Sequence, residues 1–473
     1  MYGVCPGGAS LVVKTAPMAW LDHVAAADGP IYLAVLRALE QAIRVGELQP
    51  GDRLPPQRAV AERLGVDLTT VTRAYAAAQS QGLVEGAVGR GTFVRAQARH
   101  DDAGLVDLSM NLPPPPEGLS LGRLLQETTA AILERSDPAI LMAYHPGFGT
   151  IGQRKAGAQW LAPVVGEVSA DRLLVSPGAQ AALAAVLSSL CKPGDAVVAE
   201  PLTYPGFIAV AQRLGLRLLA CDVDAEGVVP EALEALCAEA RPAAIYLVPT
   251  MQNPTGGVMT SPRRQAVARI AEARGVWIVE DDPYSRLIGA PPPAIAALAP
   301  QRTFHVATLA KCLSPGLRIA YLACPAACPA AWTERVAEAL RATALMPPPL
   351  MAAVATRWIQ EGAAETLLNA VRAETRARRA IAARALPQAV GGPENIHLWL
   401  PLMDAATAER VQLAAQARGL AVVTAEAFAV RPSHQAGARI SLGGPSKRGV
   451  LERALATLSE LVADGAPSRR VIV

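Results

Sequence analysis

The 473-residue sequence predicts a multidomain protein in which a small helical module with a β-hairpin precedes a larger α/β region. Three observations predict this fold class. Between residues 31 and 95, three helical patterns are followed by two short β segments. From residue 107 onward, short apolar runs alternate with helical stretches, as in a parallel doubly wound sheet. The stretch between them, residues 96–106, is polar and rich in small side chains, which is typical of a linker.

The N-terminal module, residues 29–95, has the order of elements of a winged helix-turn-helix. Apolar residues recurring every four positions predict a first helix over residues 31–45. A second helix should run from Pro55-Pro56 to Gly65, and a third from an Asp67 cap to Gly82. Two β segments, 83–85 and 92–95, complete the module around a glycine-rich turn.

The larger region, residues 107–473, should contain a sheet with helices on both faces. Its predicted strands are the short apolar runs Leu173–Ser176, Ala196–Ala199, Ala244–Val248, Trp277–Glu280 and Thr303–Thr308. Residues 356–386 are rich in Ala, Glu and Arg and predict one long helix leading into a smaller subdomain. We place that subdomain at about 356–473, together with 107–140.

Composition excludes several classes of protein. A hydrophobic content of 51% with 18% charged residues is ordinary for a globular chain. The seven cysteines form no zinc-type double pair, and their odd number favours reduced thiols, a cytoplasmic location and no metal site. No basic start is followed by an apolar run, and the stretch 342–356 is too short and too proline-rich to cross a bilayer, so no membrane association is expected.

The net charge is unevenly distributed along the chain. Residues 30–99 hold nine basic and six acidic side chains, a net charge of 9 − 6 = +3. The rest of the chain then holds 44 − 9 = 35 basic and 41 − 6 = 35 acidic side chains, which cancel. All of the net positive charge therefore lies in the N-terminal module, where it favours contact with nucleic-acid phosphates.

Three motifs of the larger region follow one another at informative distances. They are Asn253-Pro254-Thr255-Gly256, Glu280-Asp281-Asp282-Pro283-Tyr284 and the stretch from Thr308 to Arg318 that contains Lys311. In this order and spacing they resemble the site of the pyridoxal 5'-phosphate (PLP)-dependent transferases of fold type I. The resemblance implies that Lys311 forms a Schiff base with PLP. It also implies that Asp281 keeps the pyridine nitrogen protonated, and that Asn253 and Tyr284 hydrogen-bond the phenolic oxygen.

The same resemblance assigns the remaining contacts of the cofactor. Ser176-Pro177-Gly178-Ala179-Gln180 follows a strand and opens a helix, so its N–H groups fit a phosphate. The residues assigned to the phosphate are Ala179, Gln180, Thr308 and Arg318. Tyr204 matches the aromatic side chain that stacks on the ring, and Arg439 matches the arginine that binds an amino acid's α-carboxylate. Tyr144 resembles a tyrosine that reaches the phosphate from the other subunit, which implies a homodimer.

The N-terminal module resembles the GntR superfamily. The resemblance rests on the stretches 46–58 and 82–94. It implies that Arg58 contacts a phosphate or a base of a double-stranded DNA operator and that Arg90 lies in the wing. The recognition helix would present Thr69, Thr70, Thr72 and Arg73. Leu68 and Thr72 stand where many members carry arginine, which puts base contacts at those two positions in doubt.

One chain that carries both parts resembles the MocR type of transcriptional regulator. The resemblance leaves two functions open. In the first, the aminotransferase-like part senses PLP, or an amine or amino acid that reacts with it, and the winged helix binds DNA. In the second, the chain is an active PLP-dependent aminotransferase whose winged helix is structural or vestigial. Both use the same cofactor residues, and His145, His397 and Cys312 are interpreted as structural in either case.

Overall fold

The structure is a computed structural model that describes residues 18–24, 30–45, 47–48, 51–80, 83–87, 91–94, 105–145, 148–326, 330–431 and 435–464. The chain divides into two compact units, with the boundary between Asp102 and Ala103. This boundary lies inside the predicted linker.

The described part of the first unit contains three α-helices and a hairpin in the predicted order, preceded by a 3-10 helix over Ala19–His23. The elements are α1 (Ile31–Val45), α2 (Gln57–Leu64), α3 (Leu68–Ser80), β1 (Val84–Ala87) and β2 (Gly91–Val94). The two strands pair antiparallel. Gly65 ends α2 in a left-handed conformation, and its N–H donates to the carbonyls of Ala61 and Glu62. Gly82, the predicted end of α3, lies outside the described residues. Val71, Ala74 and Ala78 of α3 are buried, and Tyr75 and Trp20 extend that core.

The second unit is built around a seven-stranded sheet. The strands of the unit are β3 (Val106–Asp107), β4 (Leu173–Ser176), β5 (Ala196–Ala199), β6 (Arg217–Ala220), β7 (Val223–Asp224), β8 (Gly227–Val228), β9 (Ala244–Leu247), β10 (Trp277–Asp281), β11 (Thr303–Thr308), β12 (Ala320–Ala323), β13 (His397–Pro401), β14 (Leu420–Ala421), β15 (Val423–Thr424) and β16 (Gly437–Ser441). The helices are α4 (Leu121–Arg135), α5 (Pro138–Leu141), α6 (Ile151–Val165), α7 (Ala179–Leu190), α8 (Pro205–Arg213), α9 (Pro230–Ala240), α10 (Ser261–Arg274), α11 (Ile295–Leu298), α12 (Ala330–Ala344), α13 (Pro349–Gln360), α14 (Ala363–Ala385), α15 (Ala405–Ala417) and α16 (Arg448–Asp464).

The order of strands across the large sheet is β4-β12-β11-β10-β9-β5-β6. The five predicted strands are confirmed, whereas β6 and β12 were not predicted. Because β12 runs antiparallel to both neighbours, the sheet is mixed and not purely parallel as expected. The chain between β11 and β12 returns without a crossover helix, and such a return produces an antiparallel pair. The other six strands run parallel, so their carboxyl ends meet at one edge of the sheet.

Both faces of the sheet are covered by helices. Alternate residues of the strands point to opposite faces, so Val197 and Tyr246 belong to one apolar cluster, whereas Val198 and Ile245 belong to another. The first cluster includes residues of α6, α7, α12 and α13, and the second includes residues of α9 and α10. This arrangement confirms the doubly wound architecture.

The smaller part of the unit contains the three-stranded sheet β13-β16-β15 and the helices α14, α15 and α16. The prediction of one long helix over 356–386 is wrong, because Gly362 adopts φ 85° between α13 and α14 and interrupts the helix. Val106 was assigned to the end of the linker. It lies instead in β3, which pairs parallel with β14. None of the helices within the described ranges is long and apolar enough to span a membrane.

Candidate cofactor site and DNA-binding surface

Lys311 lies just after the carboxyl end of β11, in the turn that leads back to β12. Its ε-ammonium group donates a hydrogen bond of 2.6 Å to the backbone carbonyl of Asn111. Burial, reinforced by the positive charge of Arg439, lowers the pKa of Lys311 to about 8. More of this amine is therefore uncharged near neutral pH than in a lysine with an ordinary pKa, as a nucleophilic lysine requires.

Asp281 ends β10 and is 4% exposed. The hydroxyl of Tyr246 donates to Asp281 Oδ2 at 2.7 Å, and Asp281 Oδ1 is buried without a hydrogen-bond partner among the described residues. Burial raises the pKa of Asp281 to about 7. A buried carboxylate oxygen without a donor is costly, so this position is suited to a cationic N–H group of a ligand.

Behind Asp281 lies a buried charged cluster that the sequence did not reveal. His305 Nδ1 lies 3.0 Å from Glu280 Oε2, and His305 Nε2 lies 3.6 Å from Asp282 Oδ2. Burial opposes a charged imidazole, but the hydrogen bond and charge of Glu280 outweigh it and raise the pKa of His305. The resulting positive charge favours the ionised form of Asp281.

The turn between β4 and α7 forms a narrow backbone cradle. Gly178 adopts φ 102° directly before α7, whose first turn contains the N–H groups of Ala179 and Gln180. Arg318 Nη2 donates to the carbonyl of Pro177 at 3.1 Å, and a Cβ atom added at Gly178 would lie 2.6 Å from that nitrogen. Free N–H groups at a helix start, next to a guanidinium group, form an anion-binding arrangement.

The other two residues assigned to the phosphate lie around this cradle. The Thr308 hydroxyl donates to the carbonyl of Ile319, next to Arg318, and accepts from the N–H of Ala310. The side-chain amide of Gln180 donates to the carbonyl of Gly206 at 2.8 Å. Its side chain therefore fixes the start of α8, whereas its backbone N–H remains in the first turn of α7.

Arg439 on β16 lies against the motif that contains Asn253. Its Nη1 donates to Asn253 Oδ1 at 2.7 Å, and its Nη2 donates to the carbonyl of Ser109. The guanidinium carbon lies 4.9 Å from the centre of the Phe428 ring. Arg439 Nε is buried with no partner in the described parts of the chain. The guanidinium group thus retains donors for a carboxylate.

Asn111 is a central site residue that the sequence did not indicate. Its side-chain amide donates to the Tyr284 hydroxyl at 2.9 Å and lies 3.0 Å from His397 Nδ1. His397 Nε2 lies 3.1 Å from the carbonyl of Gln252 and donates to it. Burial lowers the pKa of His397 to about 3, so the ring is neutral and accepts from Asn111. His397 therefore helps to form the wall of the site through these two hydrogen bonds.

The two tyrosines assigned to the cofactor differ in position. Tyr204 precedes α8, is half-buried, and lies close enough to Asp281, Arg318 and Arg439 for their charges to act on its hydroxyl. Tyr144 is 82% exposed and makes no hydrogen bond with the described residues. One chain by itself therefore brings Tyr204 to the site but does not bring Tyr144 there.

In the first unit, Arg58, Thr69, Thr72 and Arg73 are exposed, and Thr70 is partly buried. Arg58 on α2 has no hydrogen-bond or ion-pair partner within the described ranges. The Arg73 guanidinium carbon lies 4.6 Å from the centre of the Tyr32 ring, which holds this arginine on α1. Arg90 lies outside the described residues.

The threonines of α3 have structural partners. The Thr69 N–H and hydroxyl donate to Asp67 Oδ1 at 2.7 and 2.6 Å, and this contact caps the helix. The Thr72 hydroxyl donates to Gln57 Oε1 at 2.8 Å, linking α3 to α2. The two arginines therefore remain the better candidates for contacts with phosphates or bases.

Comparison with known proteins identifies both units. Residues 103–458 match the family described as aminotransferase class I and II, and residues 31–94 match the bacterial regulatory proteins of the gntR family. The chain is 31% identical over 460 residues to the uncharacterized HTH-type transcriptional regulator YdeF of Bacillus subtilis, covering 95% of this chain and 98% of that protein. It is 28% identical over 431 residues to the vitamin B6 salvage pathway transcriptional repressor PtsJ of Salmonella typhimurium, covering 88% of this chain and 95% of the repressor.

Among solved structures, the second unit is similar to LysN, an α-aminoadipate aminotransferase from Thermus thermophilus that was crystallised with N-(5'-phosphopyridoxyl)-L-leucine. The TM-score is 0.70 at 26% identity, over 78% of this chain and 95% of that enzyme. The fold-type I architecture and the dependence on PLP follow from this likeness and from the family match. The chain belongs to the aminotransferase class I and II family, in the MocR-type combination with an N-terminal GntR-family domain.

Proposed function

We propose that this chain is a PLP-binding transcriptional regulator whose second unit senses PLP, or an amine or amino acid, and whose first unit binds an operator in double-stranded DNA. The observation that carries the proposal is the presence, in one chain, of a GntR-type unit with exposed arginines and of a buried lysine–aspartate site suited to PLP. The transcriptional regulators YdeF and PtsJ align with 95% and 88% of the chain. The name of PtsJ, which refers to vitamin B6 salvage, favours PLP itself as one of the ligands.

The residues present fit PLP at three points. The amine of Lys311, with its lowered pKa, can bond to the aldehyde carbon. The unpartnered Oδ1 of Asp281 can accept from the protonated pyridine nitrogen. The cradle at Gly178, with Arg318 beside it, can hold the phosphate. PLP, when bound, supplies an electron sink, and these side chains determine its orientation and charge.

The remaining contacts suggest the class of effector. Asn253 accepts a hydrogen bond from Arg439, and Tyr284 lies close enough for the charge of Arg439 to act on its hydroxyl. Both are therefore candidates to bind a ring oxygen while Arg439 binds a carboxylate. Arg439 Nη2 already donates to the carbonyl of Ser109, whereas Arg439 Nε has no hydrogen-bond partner among the described residues. An amino acid offers both an amine that can react with PLP and a carboxylate for Arg439. We therefore favour an amino acid over a simple amine as the effector.

We also propose that the regulator is a homodimer located in the cytoplasm. Tyr144 is highly exposed, and Ile140 and Met142 are exposed apolar side chains in the same short stretch. In a dimer, a second copy of the chain would bury this surface. Tyr144 of one copy would then reach the phosphate cradle of the other copy. Cys191, Cys221, Cys237 and Cys312 are buried thiols that form no disulfide, which suits a reducing compartment. Sedimentation of the cofactor-loaded protein as a monomer would contradict the dimer.

Footprinting of the DNA upstream of the protein's own gene tests the regulatory function. The full-length protein should protect a fragment, and PLP or L-amino acids should change the affinity or the footprint. Arg58→Ala should weaken protection of that fragment, whereas Lys155→Ala, a change at an exposed lysine of the second unit, should not. Keto-acid formation from amino acids and 2-oxoglutarate is measured in parallel. No protection at low salt in any ligand state, together with transamination at ordinary enzyme rates, would favour the aminotransferase instead.

A further inference from the structure

The second unit begins with a short stretch that connects the linker to the cofactor site. We call residues 107–111 the junction segment. At its start, the N–H of Val106 donates to the carbonyl of Gly419 at 2.7 Å, and the N–H of Leu108 donates to the carbonyl of Ala421 at 2.9 Å. The stretch is thereby attached to the smaller part of the unit. Residues 105 and 106 are the last two of the predicted linker, so the junction segment follows the linker directly.

The far end of the junction segment is held by the two cationic groups that ligands need. Lys311 Nζ donates to the carbonyl of Asn111 at 2.6 Å, and Arg439 Nη2 donates to the carbonyl of Ser109. Asn111 is 5% exposed, so its carbonyl has little access to water. Hydrogen bonds from charged donors to buried carbonyls are among the stronger ones in proteins.

The segment between these two ends is a rigid turn. Asp107 Oδ1 accepts hydrogen bonds from the N–H and hydroxyl of Ser109, both at 2.7 Å, and from the N–H of Met110 at 3.0 Å. These hydrogen bonds connect Ser109 and Met110 to Asp107, which lies in β3. The contacts form a continuous path from the lysine amine to the strand next to the linker.

We propose that the junction segment responds to ligands at the site: Lys311 and Arg439 donate to its carbonyls, and they give up these contacts when a carbonyl compound takes up the lysine and a carboxylate takes up the arginine. This inference rests on the proposed regulatory function for its biological meaning. Its chemistry depends only on the second unit.

The change at Lys311 follows from the bonding of its nitrogen. The ammonium group has three N–H donors. If the amine gave one proton to solvent and then condensed with the aldehyde of PLP, releasing its other two hydrogens as water, Nζ would keep at most one N–H. With at most one donor where the ammonium group has three, its hydrogen bond to the carbonyl of Asn111 would be weakened. A carboxylate at Arg439 competes with the carbonyl of Ser109 for the same guanidinium group. Ligands thus favour a second arrangement through differential contacts, as a switch requires.

Hydrogen–deuterium exchange on the full-length protein tests the proposal. Peptides that cover residues 105–112 are compared in the cofactor-free protein, in the PLP-loaded protein and in Lys311→Met, which removes the donors without any ligand. Lys192→Met, a change at an exposed lysine, is the matched control. The amides of Ser109 and Met110 should exchange about tenfold faster in the PLP-loaded protein and in Lys311→Met, as expected for the loss of one charged hydrogen bond.

A second pair of variants tests the arginine. Arg439→Lys should speed exchange of the same peptides in the cofactor-free protein, whereas Arg263→Lys should not, although Arg263 also donates to backbone carbonyls, those of Gly227 and Val228. Unchanged exchange between the cofactor-free and PLP-loaded wild-type protein would overturn the proposal, as would a further effect of PLP in Lys311→Met. Hydrogen–deuterium exchange is measured without DNA, so a protein that binds no operator can still show the expected exchange. Failure of the junction-segment proposal can therefore be distinguished from failure of the proposed regulatory function.

Discussion

Burial of Lys311 should make its reactivity depend on pH around 8. Only the unprotonated amine reacts with a carbonyl compound or an acylating reagent. Because burial penalises the charged form of a lysine, its pKa falls, here to about 8. The unprotonated fraction would then be roughly 9% at pH 7 and roughly 91% at pH 9, a rise of about tenfold. A lysine with the ordinary pKa of about 10.4 would rise about 100-fold over the same range and remain below roughly 5% at pH 9.

Competitive labelling with acetic anhydride on the cofactor-free protein measures this difference. The label on the peptide containing Lys311 is divided by the label on the peptide containing the exposed Lys192 in the same sample. This ratio removes the pH dependence of the reagent. It should fall about tenfold between pH 7 and pH 9, because Lys311 is already largely unprotonated at the upper end. Protein loaded with PLP and then reduced with borohydride provides the control in which Lys311 takes no label. A ratio that stays constant between pH 7 and pH 9 would refute the reasoning.

Three further changes test other parts of the site and the DNA surface. Tyr246→Phe removes the 2.7 Å hydrogen bond to Asp281 and should weaken PLP binding by about tenfold in an absorbance titration; unchanged affinity would contradict the role assigned to this hydroxyl. Gly178→Ala should abolish the preference for PLP over pyridoxal, because the added Cβ enters the phosphate cradle, whereas Gly166→Ala, with φ 84° but open space around it, should keep that preference. Arg58→Ala should reduce the slope of log affinity against log salt for DNA by about 0.9, and Arg63→Ala, which removes an arginine already paired with Asp22, should reduce it less.

The elements that could be predicted from the sequence are those with strong local signals. The helices of the first unit have regular apolar spacing, and each of the five predicted strands is a short, mainly apolar run. The strand β6 is partly exposed and begins with an arginine, so it lacks such a run. The strand β12 is apolar, but its antiparallel direction depends on the return of the chain after Lys311, which no local pattern shows. The interruption at Gly362 was missed because the flanking residues all favour a helix.

Whether a site residue could be predicted depends on whether it acts through a side chain in a recognisable motif or through a backbone group. Lys311, Asp281 and Arg439 contribute charged side chains within recognisable motifs, so the resemblance could assign them. Tyr246 lies inside a buried strand, where a tyrosine is indistinguishable from a core residue until its hydroxyl is seen to reach Asp281. Asn111 lies 200 positions from Lys311 and contacts it through a backbone carbonyl, which any residue type would offer. A regulator must connect its ligand site to its linker. A hydrogen bond from a site residue to a backbone carbonyl can make that connection, and it requires no particular residue type in the linker-proximal segment. The motif therefore indicates the chemistry, and the position of residues 107–111 indicates how that chemistry can be coupled to the rest of the chain.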